Sequence, residues 1–206
     1  MKFILGTKGR MLTVFTDEGR AFAATVINSA PNTVTQVKTA DKDGYNAVQV
    51  GFGATKESRV AKAQLSHAKG KALKHFKELR RRDGMAVEGV ELGADIDVSA
   101  FEVGEKVTVS AVSKGKGFQG VVKRHGFKGG RRSHGQKHSE REPGSIGGGG
   151  RAGGRVAKGM RMAGRMGSDR VTVRNLTVLQ VHPETHELVL AGAVPGRQGT
   201  LVEVRG

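Results

Sequence analysis

Residues 113–170 read SKGKGFQGVVKRHGFKGGRRSHGQKHSEREPGSIGGGGRAGGRVAKGMRMAGRMGSDR. Of the chain's 35 Lys and Arg, 15 fall in these 58 residues, against three of its 19 Asp and Glu (Glu140, Glu142 and Asp169). The stretch therefore holds +12 of a formal net charge of +16. The other 148 residues carry 20 basic and 16 acidic side chains, so on this count the charge belongs to one segment. Seventeen of the 58 are Gly, and Phe118, Val121, Val122, Phe127, Ile146, Val156, Met160, Met162 and Met166 are too scattered for a core. Fixing a backbone costs about 1–2 kcal/mol per residue. A stretch of this composition is expected not to fold on itself but to take its shape along a polyanion, with nucleic acid the obvious one.

Both flanks are strands. EKVTVSAV (105–112) leads in and VTVRNLTVLQV (171–181) leads out, the latter with the clean period of two of a half-buried strand. The stretch is thus an excursion from a β domain made of residues 1–112 and 171–206, which is large enough for a core. Toward the N-terminus, 96–101 and 85–91 read as strands. Residues 55–82 change period: Ser58 can cap a helix, and Leu65, Ala68, Ala72, Phe76 and Leu79 recur at three or four residues with a break at Gly70. This predicts a short helical insertion. Arg80-Arg81-Arg82 ends it, as a solvated helix end or as an RNA contact. Residues 45–52 and 33–39 form a pair across Asp41-Lys42-Asp43-Gly44, where Asp-Gly supplies the positive φ of a hairpin turn. Residues 22–27 and 2–16 are strands, the second interrupted at Gly6 and Gly9, with a turn at Asp17-Glu18-Gly19 between them. Beyond 181, His182-Pro183-Glu184-Thr185 turns the chain into strands 187–194 and 200–204. The fold expected is mainly β: a small antiparallel barrel with a short helical insertion (about 55–82) and a long irregular basic extension (113–170).

Composition excludes several classes. No run approaches the roughly 18 apolar residues of a spanning helix, and residues 1–22 lack a signal peptide's apolar block. Glycines every few residues deny the basic stretch the continuous apolar face of a membrane-surface helix. A cytoplasmic protein without a membrane partner is expected. Zero Cys rules out disulfides, thiol catalysis and thiolate zinc sites, and one Tyr with no Trp argues against an aromatic stacking platform for single strands.

Three motifs have duller readings. Gly115-Lys116-Gly117-Phe118-Gln119-Gly120 matches the dinucleotide fingerprint, but Gly126, Gly129 and Gly130 break the segment where that fold needs a long helix on a parallel sheet. GRVAKG (154–159) imitates a phosphate loop until Met160 stands where Lys is required. His134 and His138 sit four apart, yet Glu140 and Glu142 lie on a chain with nothing to hold metal geometry, and Ser133 with His134 lacks a third orienting group. RNA-facing histidines fit better. Glycine lets backbone N–H groups approach phosphates, Arg adds bidentate phosphate contact and base stacking, and Pro143-Gly144 within SEREPGSI (139–146) marks the far reversal.

SKGKGFQGVVKRHGFKGG (113–130), Ser133-His134-Gly135, PGSIG (143–147) and MAGRMG (162–167) closely resemble the bacterial large-subunit ribosomal protein number three family. So do VTQVKTADKDGYNAVQVGFG (34–53), VTVRNL (171–176) and GAVPG (192–196), so the likeness covers nearly the whole chain. The resemblance implies a β-barrel of the kind shared among translation proteins, with an extension running into ribosomal RNA toward the peptidyl transferase centre. It implies binding near the 3′ end of 23S-type rRNA, an early role in subunit assembly, and the ribosomal proteins of families fourteen and nineteen as neighbours. No cofactor, metal or small-molecule substrate is implied; catalysis belongs to the RNA. Carried over by position, Lys114, Lys116, Phe118, Lys123, Arg124, His125, Lys128, Arg131 and Arg132 would line the base of the extension, followed by His134, Lys137, His138 and Arg141. Ser145, Ile146, Gly148, Gly149, Gly150, Arg151 and Arg155 would form the tip, and Lys158, Arg161 and Arg165 the returning arm. All are expected to bind rRNA. Two features depart from the family pattern: Gly148-Gly149-Gly150 stand where many members have Gln and Asn, a Gln there being methylated in some, and Gly9-Arg10-Met11-Leu12 replaces a Gly-Met-Thr pattern. A non-specific nucleic-acid compactor or RNA chaperone and, behind it, an RNA-modifying enzyme are the alternatives.

Overall fold

The computed structural model describes residues 2–16, 18–80, 90–150 and 153–206, and the chain divides into two units, residues 1–112 with 170–206 and residues 113–169. In the first unit, strands β1 (Phe3–Phe15), β2 (Ala21–Asn28), β7 (Lys106–Val112), β10 (Arg170–His182), β11 (Glu187–Ala191) and β12 (Leu201–Arg205) close a barrel in the order β1-β12-β7-β10-β11-β2. All six pairings are antiparallel. A second sheet runs β5-β4-β3-β6, built from β3 (Asn32–Lys38), β4 (Ala47–Ala54), β5 (Leu73–Arg80) and β6 (Asp95–Ile96).

The alternation of side chains along the strands makes two cores from one barrel wall. In β1, Ile4 joins the barrel interior with Val107, Val109, Leu188, Leu190, Val202 and Val204. Its neighbours Phe3 and Leu5 join Val34, Val48, Val50, Phe52 and Leu79 of the second sheet. The two sheets are pinned by the fully buried Asn32. Its Oδ1 accepts from Leu5 N (2.9 Å) and its Nδ2 donates to Leu5 O (3.0 Å) and Ala30 O (3.0 Å), so the amide stands in for a strand partner beside β1.

Several expectations change. Strand 2–16 is continuous, and its irregularity is a bulge between Lys8 and Met11, not a break. Residues 33–39 and 45–52 do pair, but outside the barrel, and their connection is a single helical turn, α1 (Ala40–Asp43), capped by Gly44 at φ +77°. Among its described residues the insertion holds one α-helix, α2 (Lys62–His67), whose N-cap is Ala61; Ser58 lies in a 3₁₀ turn (Glu57–Arg59). Residues 73–80 are strand β5 rather than helix, because Leu73 and Leu79 are buried at even spacing and β4 offers an open edge along its whole length. Of residues 96–101 only Ile96, the end of β6, is strand: the Asp97 carboxylate accepts from Val98 N at 2.7 Å and starts a 3₁₀ turn (Val98–Ala100) that seats Val98 and Phe101 in the barrel core. The strand expected at 85–91 and the turn residue Asp17 fall outside the described residues, apart from Val90 and Glu91, which are not strand.

Candidate nucleic-acid interface

The expectation that residues 113–169 cannot fold on themselves is corrected at their base. Ser113 N donates to Asp169 O (2.9 Å), Lys116 N to Met166 O (2.9 Å) and Met166 N to Gly117 O (3.0 Å). Two short strands, β8 (Phe118–Gln119) and β9 (Gly164–Arg165), continue this antiparallel stem. Helix α3 (Val121–His125) follows, opened by Gly120 and ended by Gly126 at φ +74°. The physical reason is that a backbone ladder needs no apolar core, only close approach. Gly167 supplies it: a Cβ there would sit 2.1 Å from Lys114 O, and its φ is +78°.

The stem collects charge. Arg124 Nη1 donates to Met162 O (2.7 Å), and the His125 ring Nε2 lies 3.1 Å from the same carbonyl, so these two side chains of α3 are aimed by the returning segment. Together with Lys114, Lys116 and Arg165 they line a cleft of about 530 Å³, closed by Ser113, Met166, Gly167 and Asp169. Four permanent cations and one histidine thus face a single carboxylate. Ser113, Asp169 and the Met162 carbonyl were not foreseen as parts of the site; the lone acid ahead of Arg170 was the only trace of them in the sequence. Phe118 stands beside this stem with 77% of its surface exposed, and Lys123 is exposed on α3.

Farther out the chain makes local loops. Gly130 N donates to Glu140 O (2.8 Å), and Gly129 permits the approach, since a Cβ there would lie 2.1 Å from that carbonyl. Within this loop Arg132 pairs with Glu140, and the tight reversal is at His134 (φ +59°) and Gly135 (φ +77°). Arg131, Arg132, His134, Lys137, His138 and Arg141 are exposed. Lys128 lines a second cleft of about 610 Å³ with Phe127, Gln136, Ser139 and Glu142. Gly144 has φ +76°, in an open segment rather than the closed reversal expected at Pro143-Gly144. Ser145 Oγ accepts from Gly147 N (3.4 Å), Ile146 is half-buried, and Gly154 N donates to Gly148 O (2.8 Å), closing a loop that includes Gly149 and Gly150. Arg151 lies outside the described residues; Arg155, Lys158 and Arg161 are exposed. Among the described residues no three His, Asp or Glu side chains converge.

A barrel body with a glycine-rich cationic arm is a distinctive pairing, and comparison with known proteins resolves it. The family model described as Ribosomal protein L3 matches residues 20–189. This chain belongs to the ribosomal protein L3 family. Proteins named large ribosomal subunit protein uL3 from Herpetosiphon aurantiacus, Thioalkalivibrio sulfidiphilus and Nocardia farcinica are 47%, 48% and 47% identical to it. Each alignment covers 98% of this chain and 94%, 95% and 91% of the respective relative. The L3 family is one of structural ribosomal proteins, not enzymes. In this L3-family chain the fingerprint at 115–120 therefore serves as stem: its third glycine opens a helix of barely one turn beside an antiparallel ladder, not a parallel sheet.

Proposed function

We propose that this chain is a structural constituent of the large ribosomal subunit in the bacterial cytoplasm, held there by its 113–170 extension lying along ribosomal RNA. One observation carries the reading. Of the fourteen described Lys and Arg in that stretch, only Arg132 and Arg170 have a carboxylate partner, leaving twelve cations unpaired on a backbone with almost no core. Charge of this density without carboxylate partners is matched by phosphate. The family resemblance supports the finer assignment: contact near the 3′ end of 23S-type rRNA, early entry into subunit assembly, the arm directed toward the peptidyl transferase centre, and ribosomal proteins of families fourteen and nineteen as neighbours.

If about ten of these cations meet phosphate, log affinity for a cognate rRNA fragment falls against log salt with a slope near −7 to −9. Titration at several salt concentrations measures it, and a slope near −2 removes the reading. Equal affinity for DNA and unrelated RNA would favour the non-specific compactor instead. Co-sedimentation of tagged protein with large-subunit particles tests the assembly claim.

A further inference from the structure

Counting the body's charge as a whole conceals a second concentration of it. Residues 55–82 hold ten Lys and Arg, of which Arg81 and Arg82 lie outside the described residues, against Glu57 and Glu78 alone. That is +8 in 28 residues, denser than the arm's +12 in 58, while the rest of the body holds 10 basic and 14 acidic residues and is net negative. Lys56, Arg59, Lys62, Lys69 and Lys71 sit on an ordered connection between β4 and β5, and Lys74 follows at the start of β5, which also carries Arg80 and Lys77, the latter paired with Glu203 (3.5 Å). Thr55 N donates to Ala72 O (3.0 Å) and Gly70 N to Leu65 O (2.8 Å), and the His67 ring Nε2 meets Gln49 Oε1 of β4 (2.5 Å). Ala68 and Leu73 are buried beneath. Lys71 is committed to Asp95 (3.2 Å), but Lys56, Arg59, Lys62, Lys69 and Lys74 are exposed and have no carboxylate partner.

We infer that this connection is a second phosphate-binding face, preformed on the body, for the backbone of structured large-subunit ribosomal RNA. It shares its ligand with the proposed function of the arm but not its residues. The bland alternative is a solvated lysine-rich loop, against which stands the near absence of acids: a solvated face in a chain with 19 Asp and Glu would be expected to intersperse both signs. A protein partner fits less well, since no large apolar side chain of the connection is exposed to anchor one.

The test uses the full chain with large-subunit rRNA. In an Arg59→Gln/Lys62→Gln/Lys69→Gln/Lys74→Gln variant, the slope of log affinity against log salt becomes shallower by about 3, at roughly 0.7–0.9 per lost contact. A control carrying Lys42→Gln, Lys106→Gln, Arg174→Gln and Arg197→Gln, all exposed on the body, moves it by less than half as much; equal shifts in the two overturn the inference. An arm variant, Arg155→Gln/Lys158→Gln/Arg161→Gln, run in parallel separates the two readings. Flattening by the arm variant alone overturns the second face and leaves the arm; flattening by the face variant alone does the reverse. Should the face variant fold poorly, lysine acetylation of the unaltered chain decides. Protection of Lys56, Lys62, Lys69 and Lys74 by naked rRNA supports the inference, and full reactivity there, or protection seen only in assembled particles, overturns it.

Discussion

The body and the extension of this protein obtain shape by opposite means. In the body, strand alternation sorts side chains into a barrel interior and a second core beneath the outer sheet, and the backbone ladder follows from that burial. In the extension, Val121 is the one buried side chain among the described residues; the stem rests on backbone hydrogen bonds that glycine makes sterically possible. The first region stores its stability in apolar contact and keeps it without a ligand. The second has local geometry without a core, so its overall course is set by what its unpaired cations meet. Hydrogen exchange on the free chain puts this to work: strong protection of β7 and β11 amides, weak protection at Lys116 and Met166 in the stem, and none between 155 and 160. Uniform protection across the extension without RNA would erase the contrast.

The largest expected effect is in the barrel. Leu188→Ala, at a site with no exposed surface, costs about 2–5 kcal/mol, whereas Phe118→Ala, on a largely exposed ring, changes stability by about 0.5 kcal/mol or less and weakens RNA binding instead. Similar thermal shifts for both would break the comparison. Asn32→Ala comes next at about 2–3 kcal/mol, because Leu5 N and O lose a buried partner together; urea denaturation measures it, and a loss near zero would mean that the amide does not join the two sheets. Gly167→Ala is smaller and confined to the arm. Forcing a side chain into the left-handed region costs about 1–2 kcal/mol, so RNA affinity falls about tenfold while the body's melting temperature stays put. An unchanged affinity would show that the stem geometry is not what RNA reads.

The smallest effect is that of pH on the body. Ion pairing and hydrogen bonding from Lys38, and then Tyr45, hold Glu78 below its ordinary value, Lys2 does the same for Glu105, and Thr33 and Lys71 for Asp95. Burial, aided by Lys74 and Lys77, lowers His75. All four are depressed in the folded state, so each contribution is complete above the unfolded value and is lost as pH falls through the folded one. Thermal midpoints should be level near neutrality, decline slightly once pH passes below 6.5, and decline further below 4.5. A midpoint rising on acidification would contradict the sign.

The strands that alternate most cleanly were legible from the chain alone, β10 above all, and so was the excursion between β7 and β10. Residues 73–80 misled because Ala72, Phe76 and Leu79 recur at a helical spacing; the waiting edge of β4 settled the choice. Cationic residues of the arm were legible as a class, since charge and glycine content need no geometry to interpret. Their grouping was not: that Arg124 and His125 share the Met162 carbonyl, 38 and 37 residues away, is a matter of which backbone returns beside which.

Local chemistry, then, decided what kind of surface each segment offers: apolar alternation for a barrel wall, lysine, arginine and glycine for contact with polyanion, and motif for kinship with the L3 family. Long-range pairing decided the rest. Only the closed order β1-β12-β7-β10-β11-β2 tells which strands leave the barrel for a second sheet, which glycines must stay small, and that the loop from β4 to β5 gathers its own unpaired cations on an anchored scaffold. Composition averages over a chain, whereas hydrogen bonds between distant residues place individual charges in space, and it is placed charge that a phosphate backbone can recognise.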